Sequence, residues 1–120
     1  MSKLKAIEAI KEDLVEFTRK ILRIPSLTGK EEKVAKVVLA KLKSFGIDEA
    51  WIDEIGNVIG VLRGKGCGPN ILLNGHLDVV PAGRLENWRF DPFGAEIDEK
   101  GNIRGRGAAD MKGGLSALVT

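Results

Sequence analysis

The chain has one cysteine, one histidine and no long apolar run among its 120 residues. A lone Cys67 excludes an internal disulfide and any cysteine-rich zinc module. It lies in Gly-Lys-Gly-Cys-Gly-Pro and reads as a turn residue, not as a catalytic thiol. Nothing approaches the roughly 20 apolar residues needed to span a bilayer. The N-terminal MSKLKAIEAIKEDL lacks the continuous apolar core of a signal peptide, so a cytoplasmic location is the expectation. There is no block of like charge either. The formal charge of +2 comes from 19 basic and 17 acidic residues, interspersed as on an ordinary solvated surface. That argues against a nucleic-acid tail or a membrane patch as partner. No internal repeat and no low-complexity segment is visible.

What is present suits one soluble domain: 43% hydrophobic and 30% charged residues in a length too short for two domains. From Leu4, apolar residues recur at Ile7, Ile10, Leu14, Phe17 and Ile21, in the steps of three and four that make one stripe on a helix. The pattern stops at Ile24-Pro25, because proline disfavours the helical region for the residue before it. A second helix is announced by Thr28-Gly29-Lys30-Glu31, a Thr-x-x-Glu capping box. Val34, Val38, Leu42 and Phe45 form its buried stripe, and Gly46 suits the left-handed residue that ends it.

After Gly46 the period shortens to that of strands. Residues 50–55 and 58–62 flank Gly56-Asn57 and predict a hairpin. Residues 64–69 are a loop. Ile71-Leu72-Leu73 is continuously apolar and predicts a central strand buried on both faces, delivering His76 and Asp78 at its end. Residues 81–95 are an irregular, aromatic-rich excursion. Residues 96–98 and 102–104 flank a second hairpin turn, and Leu115 to Thr120 begins a helix. Helices, strands, then a buried strand leading to a glycine-rich helix start predict an α/β fold with a mixed sheet. Ligands in such folds gather beyond the carboxyl ends of the strands, where His76 falls.

In His76-Leu77-Asp78 the first and third residues share one face of an extended backbone. A carboxylate there can accept the second ring N–H of the imidazole and orient it as a ligand. Taken alone, the spacing also fits a histidine in a surface turn beside a chance aspartate. GRGAADMKGG, residues 105–114, admits three readings. As a phosphate cradle it fails, because Asp110 would repel phosphate and Lys112 precedes Gly113 where a P-loop needs Ser or Thr. It remains either a glycine-rich turn with no chemical role or a tight turn aiming Asp110 into the pocket of His76. An imidazole with a carboxylate is a mixed nitrogen and oxygen donor set, suited to zinc and also to cobalt or manganese.

The runs NGHLDVVPAG, NWRFDPF and GNIRGRGAADMKGG resemble the N-terminal half of the catalytic domain of the zinc-dependent aminoacylase/carboxypeptidase family. Within it they are most similar to the acetylornithine deacetylase and succinyl-diaminopimelate desuccinylase branch. IPSLTGKEE and the two opening helices fit as well, so the resemblance covers essentially the whole chain. It implies an α/β catalytic domain binding two zinc ions. His76 is then a zinc ligand, Asp110 the carboxylate bridging both metals, and Asp78 the catalytic-site residue supporting the histidine. The Asp110-Met111 peptide would be cis. Trp88, Pro92 and Phe93 match positions read as packing.

The implied reaction is hydrolysis of the amide of an N-acyl amino acid, of the acetylornithine or succinyl-diaminopimelate type, by zinc-activated water. Carboxypeptidase and dipeptidase chemistry remain open. The family's general base is the first of two adjacent glutamates downstream of the bridging aspartate, and a further acidic ligand and a second histidine complete the metals. Here Glu31-Glu32 is the only adjacent pair, and it sits in the capping box. Residues 1–120 are therefore expected to be the N-terminal portion of the catalytic domain, without its remainder or the lid domain that carries the homodimer interface. Such a fragment is expected to be inactive alone. The rival reading is a non-enzymatic half-domain that self-associates or binds a partner.

Overall fold

A computed structural model gives the fold and describes residues 2–120. Three helices and two short antiparallel strand pairs follow one another: α1 (Lys3–Leu22), α2 (Glu32–Ser44), β1 (Glu49–Ile52), β2 (Val58–Val61), β3 (Glu96–Ile97), β4 (Ile103–Arg104) and α3 (Gly113–Val119). One turn of 3-10 helix at Leu85–Asn87 interrupts the long excursion. This is an incomplete α/β architecture. No helix among the described residues is long and apolar enough to cross a membrane.

The core forms where the C-terminal half of α1 meets α2 and α3. Phe17, Ile21, Val34, Val38 and Leu115 are buried together, with Ile24, Leu42, Leu77 and Val119 packed against them. The predicted stripe of α1 is thus only half covered, since Leu4 and Ile7 remain 75% and 60% exposed. Helix α2 ends as expected, with Gly46 at φ 64 directly after the cap residue Phe45. Its start differs from the expectation. The capping residue is Glu31, with no side-chain cap, and Thr28 caps nothing. The Thr28 hydroxyl instead donates to Asp78 Oδ2, 50 residues away, at 2.5 Å. Glu31 Oε1 accepts the Gly29 N–H at 2.8 Å, so the Thr-Gly-Lys-Glu run closes a turn ahead of the helix.

Both hairpins are present. Strand β1 pairs with β2 with Trp51 opposite Ile59, and β3 with β4 with Ile97 opposite Ile103. Their turns are one five-residue design used twice, Asp-Glu-x-Gly-Asn at 53–57 and 98–102. In each, the aspartate Oδ1 accepts the main-chain N–H of the third and fifth residues, and Oδ2 accepts the Asn side-chain amide. The glycine takes a positive φ, 98 in one and 81 in the other.

The expected central strand at 71–73 is not formed. Residues 70–77 lie outside any strand, and Ile71, Leu72 and Leu73 are 81%, 88% and 64% exposed. A strand persists only when neighbours take its N–H and C=O groups, and no other strand lies alongside this segment. Parallel pairing is confined to one bridge just beyond it, Leu27 with Val79.

Candidate metal centre

The local structure at His76 is set by the segment before α2. Ser26, fully buried, receives the Val79 N–H on its carbonyl at 2.8 Å and donates its hydroxyl to the Leu77 carbonyl at 2.8 Å. Residues 77–79 are therefore held extended beside 26–27, and Asp78 faces Thr28. Both Asp78 and His76 then fall on one side, as the one-residue spacing requires.

His76 Nδ1 lies 2.9 Å from the Asp78 carbonyl and 3.1 Å from Asp78 Oδ1. A carbonyl only accepts, so Nδ1 carries a proton. His76 Nε2 lies 2.9 Å from Asp110 Oδ1, contributed by the far end of the chain. The two residues of separate motifs therefore meet. The hydrogen bond to the Asp78 carbonyl, and after it the bond to Asp110, raises the pKa of His76 above its ordinary value. The Thr28 hydroxyl holds the Asp78 carboxyl below the usual carboxylate range.

Asp110 arrives on a loop, not on a helix. Its φ of −129 and that of Met111, −131, are outside the helical region, and the peptide between them is cis. On one side the loop rests on Gly107, at φ 85, where a Cβ would collide with the Val79 side chain. Only glycine allows this approach, and it brings the loop against the segment carrying His76. On the other side is Lys112, whose side chain is wholly buried and donates to the carbonyls of Ile21 and Ile24 at 2.8 and 2.7 Å. Burial pushes its pKa down to about 8. The Met111 sulfur accepts the His76 main-chain N–H at 3.3 Å.

His76, Asp78, Arg106, Gly107 and Asp110 line a shallow cavity of about 220 Å³. Arg106 lies 5.0 Å over the Trp88 ring, Trp88 packs edge-on against Phe90, and the Trp88 indole donates to the Ala82 carbonyl. Pro92 is buried, and its carbonyl accepts the Arg106 N–H at 2.7 Å, so Trp88 and Pro92 both contact the residue that lines the cavity.

The donor chemistry fits part of a metal site. Nitrogen and oxygen converge from two segments, and the Asp110 side chain is 87% exposed. With Nδ1–H committed to Asp78, the proton shared between Nε2 and Asp110 is the one a cation displaces. Among the described residues, however, no group of three or more His, Cys, Asp or Glu side chains is arranged to hold a metal ion. His76 and Asp110 supply two donors where a closed zinc site uses four.

The structure brings together His76, Asp78 and Asp110, the expected site residues, and surrounds them with Ser26, Thr28 and Lys112, which were not expected there. The Thr28 signal was masked by a valid capping-box spelling. Lys112 left one trace, a cation directly before an apolar helix start.

Residues 72–120 match the model of the family described as Peptidase family M20/M25/M40. The chain is 42% identical over 94% of its length to a Pyrococcus abyssi (strain GE5 / Orsay) protein, provisionally named a LysW-lysine/LysW-ornithine hydrolase. It is 41% identical over 92% of its length to the succinyl-diaminopimelate desuccinylase of Wolbachia pipientis subsp. Culex pipiens (strain wPip). It is 37% identical over 88% of its length to the desuccinylase of Ectopseudomonas mendocina (strain ymp). The chain spans only 30%, 28% and 28% of these three relatives.

Proposed function

Over residues 72–120 the chain belongs to peptidase family M20/M25/M40, and from that premise we propose that it is the front part of a zinc-dependent amidohydrolase acting on an N-acyl amino acid. The family is one of hydrolases and is generally metal-dependent. The observation that carries the reading is the meeting of His76 Nε2 and Asp110 Oδ1 at 2.9 Å, with the other ring nitrogen fixed by Asp78. The names of the relatives support a small acylated or aminoacyl substrate, of the succinyl-diaminopimelate or acetylornithine type.

In this reading His76 offers Nε2 and Asp110 its carboxylate oxygens to zinc, while Asp78 keeps the imidazole in the tautomer that leaves Nε2 free. Thr28 in turn holds the Asp78 carboxylate. The chemistry zinc supplies in such a site is polarisation of the amide carbonyl and activation of water for attack. A general base must also take the proton of that water and pass it to the leaving amine. Neither adjacent glutamate is free for this, since Glu31 holds the Gly29 N–H and Glu32 pairs with Lys36. The 120-residue chain by itself is therefore expected to be inactive.

Zinc titration by calorimetry tests the half-site. Weak binding is expected, lost in His76→Ala. Binding that survives that substitution overturns the ligand assignment. Hydrolysis of N-acetylornithine or N-succinyl-diaminopimelate by the purified chain, abolished by a chelator, overturns the expected inactivity.

A further inference from the structure

We propose that Lys112 is a positioning residue, whose buried ammonium ties the Asp110 loop to the carboxyl end of α1 and so holds Asp110 against His76. The inference rests on the reading of Asp110 as a metal ligand for its functional meaning, though not for its geometry. Asp110 has little else to hold it. Its side chain is 87% exposed, and its one side-chain hydrogen bond among the described residues is the bond to His76. Beyond the contact of the adjacent Met111 sulfur with the His76 N–H, its place is decided by the two ends of its loop.

One end is Gly107 packed on Val79. The other is Lys112, which is fixed at three points. Its ammonium donates to Ile21 and Ile24 carbonyls, its main-chain N–H donates to the Gly107 carbonyl at 2.8 Å, and its carbonyl accepts the Ser116 hydroxyl at 2.8 Å. The first of these joins positions 91 and 88 residues apart. The carbonyls at a helix end have no partners within the helix, and a cation there is favoured by the helix dipole. Lysine reaches them with a compact ammonium on a flexible stem, where a guanidinium would need more room. With 0% of its surface exposed, Lys112 is closed to any substrate, so a role in covalent chemistry is excluded.

The test compares Lys112→Met, which keeps the stem and removes the donor, with Val34→Ala, which destabilises the core away from the loop. Both are studied at a temperature where amide spectra show a folded chain. If Lys112→Met does not fold, Lys112→Leu, which likewise lacks a donor, takes its place. The first readout is the ¹⁵N signature of the His76 Nε2 hydrogen bond. It is expected to vanish in the Lys112 variant, as in Asp110→Ala, and to persist in Val34→Ala. The second is cobalt(II) titration, with affinity falling about tenfold or more in the Lys112 variant only. A folded Lys112 variant that keeps the Nε2 signature overturns the proposal and leaves Lys112 a helix cap. Loss of that signature in a chain that takes up no cobalt(II) upholds Lys112 as a positioning residue and counts against the metal reading instead.

Discussion

At the scale of single residues, the site depends on which nitrogen of His76 carries a proton. The Asp78 carbonyl at 2.9 Å demands Nδ1–H, whereas unconstrained neutral imidazole favours the other tautomer. ¹⁵N spectra taken above the His76 titration are expected to show Nδ1 protonated, and an Nε2–H form there would contradict the geometry. Its bonds to Asp78 and Asp110 raise the folded-state pKa above the ordinary 6.5. The sign follows: this contribution to stability is complete below the unfolded value and is lost as pH rises through the folded one. On the proposed metal reading, uptake of a cation that displaces the Nε2 proton should strengthen over the same rise. Residue type and spacing allowed the imidazole and both carboxylates to share a site but left a plain surface turn open, and their expected roles came from the family resemblance. Thr28 was not legible in the sequence, because Thr-x-x-Glu specifies a cap just as well, and only a contact across 50 residues decides between the two uses of the hydroxyl.

Elements were legible where their information is local. The stripe of α1, the Gly46 stop of α2 and both hairpins are set by periodicity and turn chemistry within a few residues. The turns at 53–57 and 98–102 carry a prediction of their own. The Asp53 pKa is lowered chiefly by the Asn57 side-chain bond, and that of Asp98 by the Asn102 main-chain bond, each from an ordinary 3.8. For such depressed carboxyls the stabilisation is present above the unfolded value and disappears as pH falls through the folded one. Amide exchange should therefore show both hairpins loosening below about pH 4, ahead of the helices. Asp98→Ala is expected to loosen the β3–β4 hairpin at neutral pH and leave β1–β2 protected. Equal protection of both hairpins in that variant would mean the strands, not the turn, hold the pairing. The failed element, 71–73, is the one whose information is not local. Three apolar residues in a row specify burial on two faces but cannot supply the strands that do the burying.

For the whole molecule this leaves apolar surface unspent. The radius of gyration is 15.7 Å, against about 14 Å for a compact chain of this length. Ile71, Leu72 and Leu73 stand exposed on a segment with unpaired main-chain groups, and Leu4 and Ile7 continue an open stripe on α1. An unpaired extended segment with apolar side chains is a template for pairing with another chain. Light scattering is expected to show self-association that grows with concentration, relieved by Leu72→Lys, which places a charge in the segment without touching the buried core. The outcome also separates the two accounts of the molecule. If Leu72→Lys yields a monomer in which His76 and Asp110 keep their hydrogen bond, the exposed segment and the His76–Asp110 contact are independent, and the association is only the consequence of exposed apolar side chains. If the wild-type chain is monomeric at high concentration, the segment is not available for pairing, and the non-enzymatic half-domain loses the one surface that spoke for it.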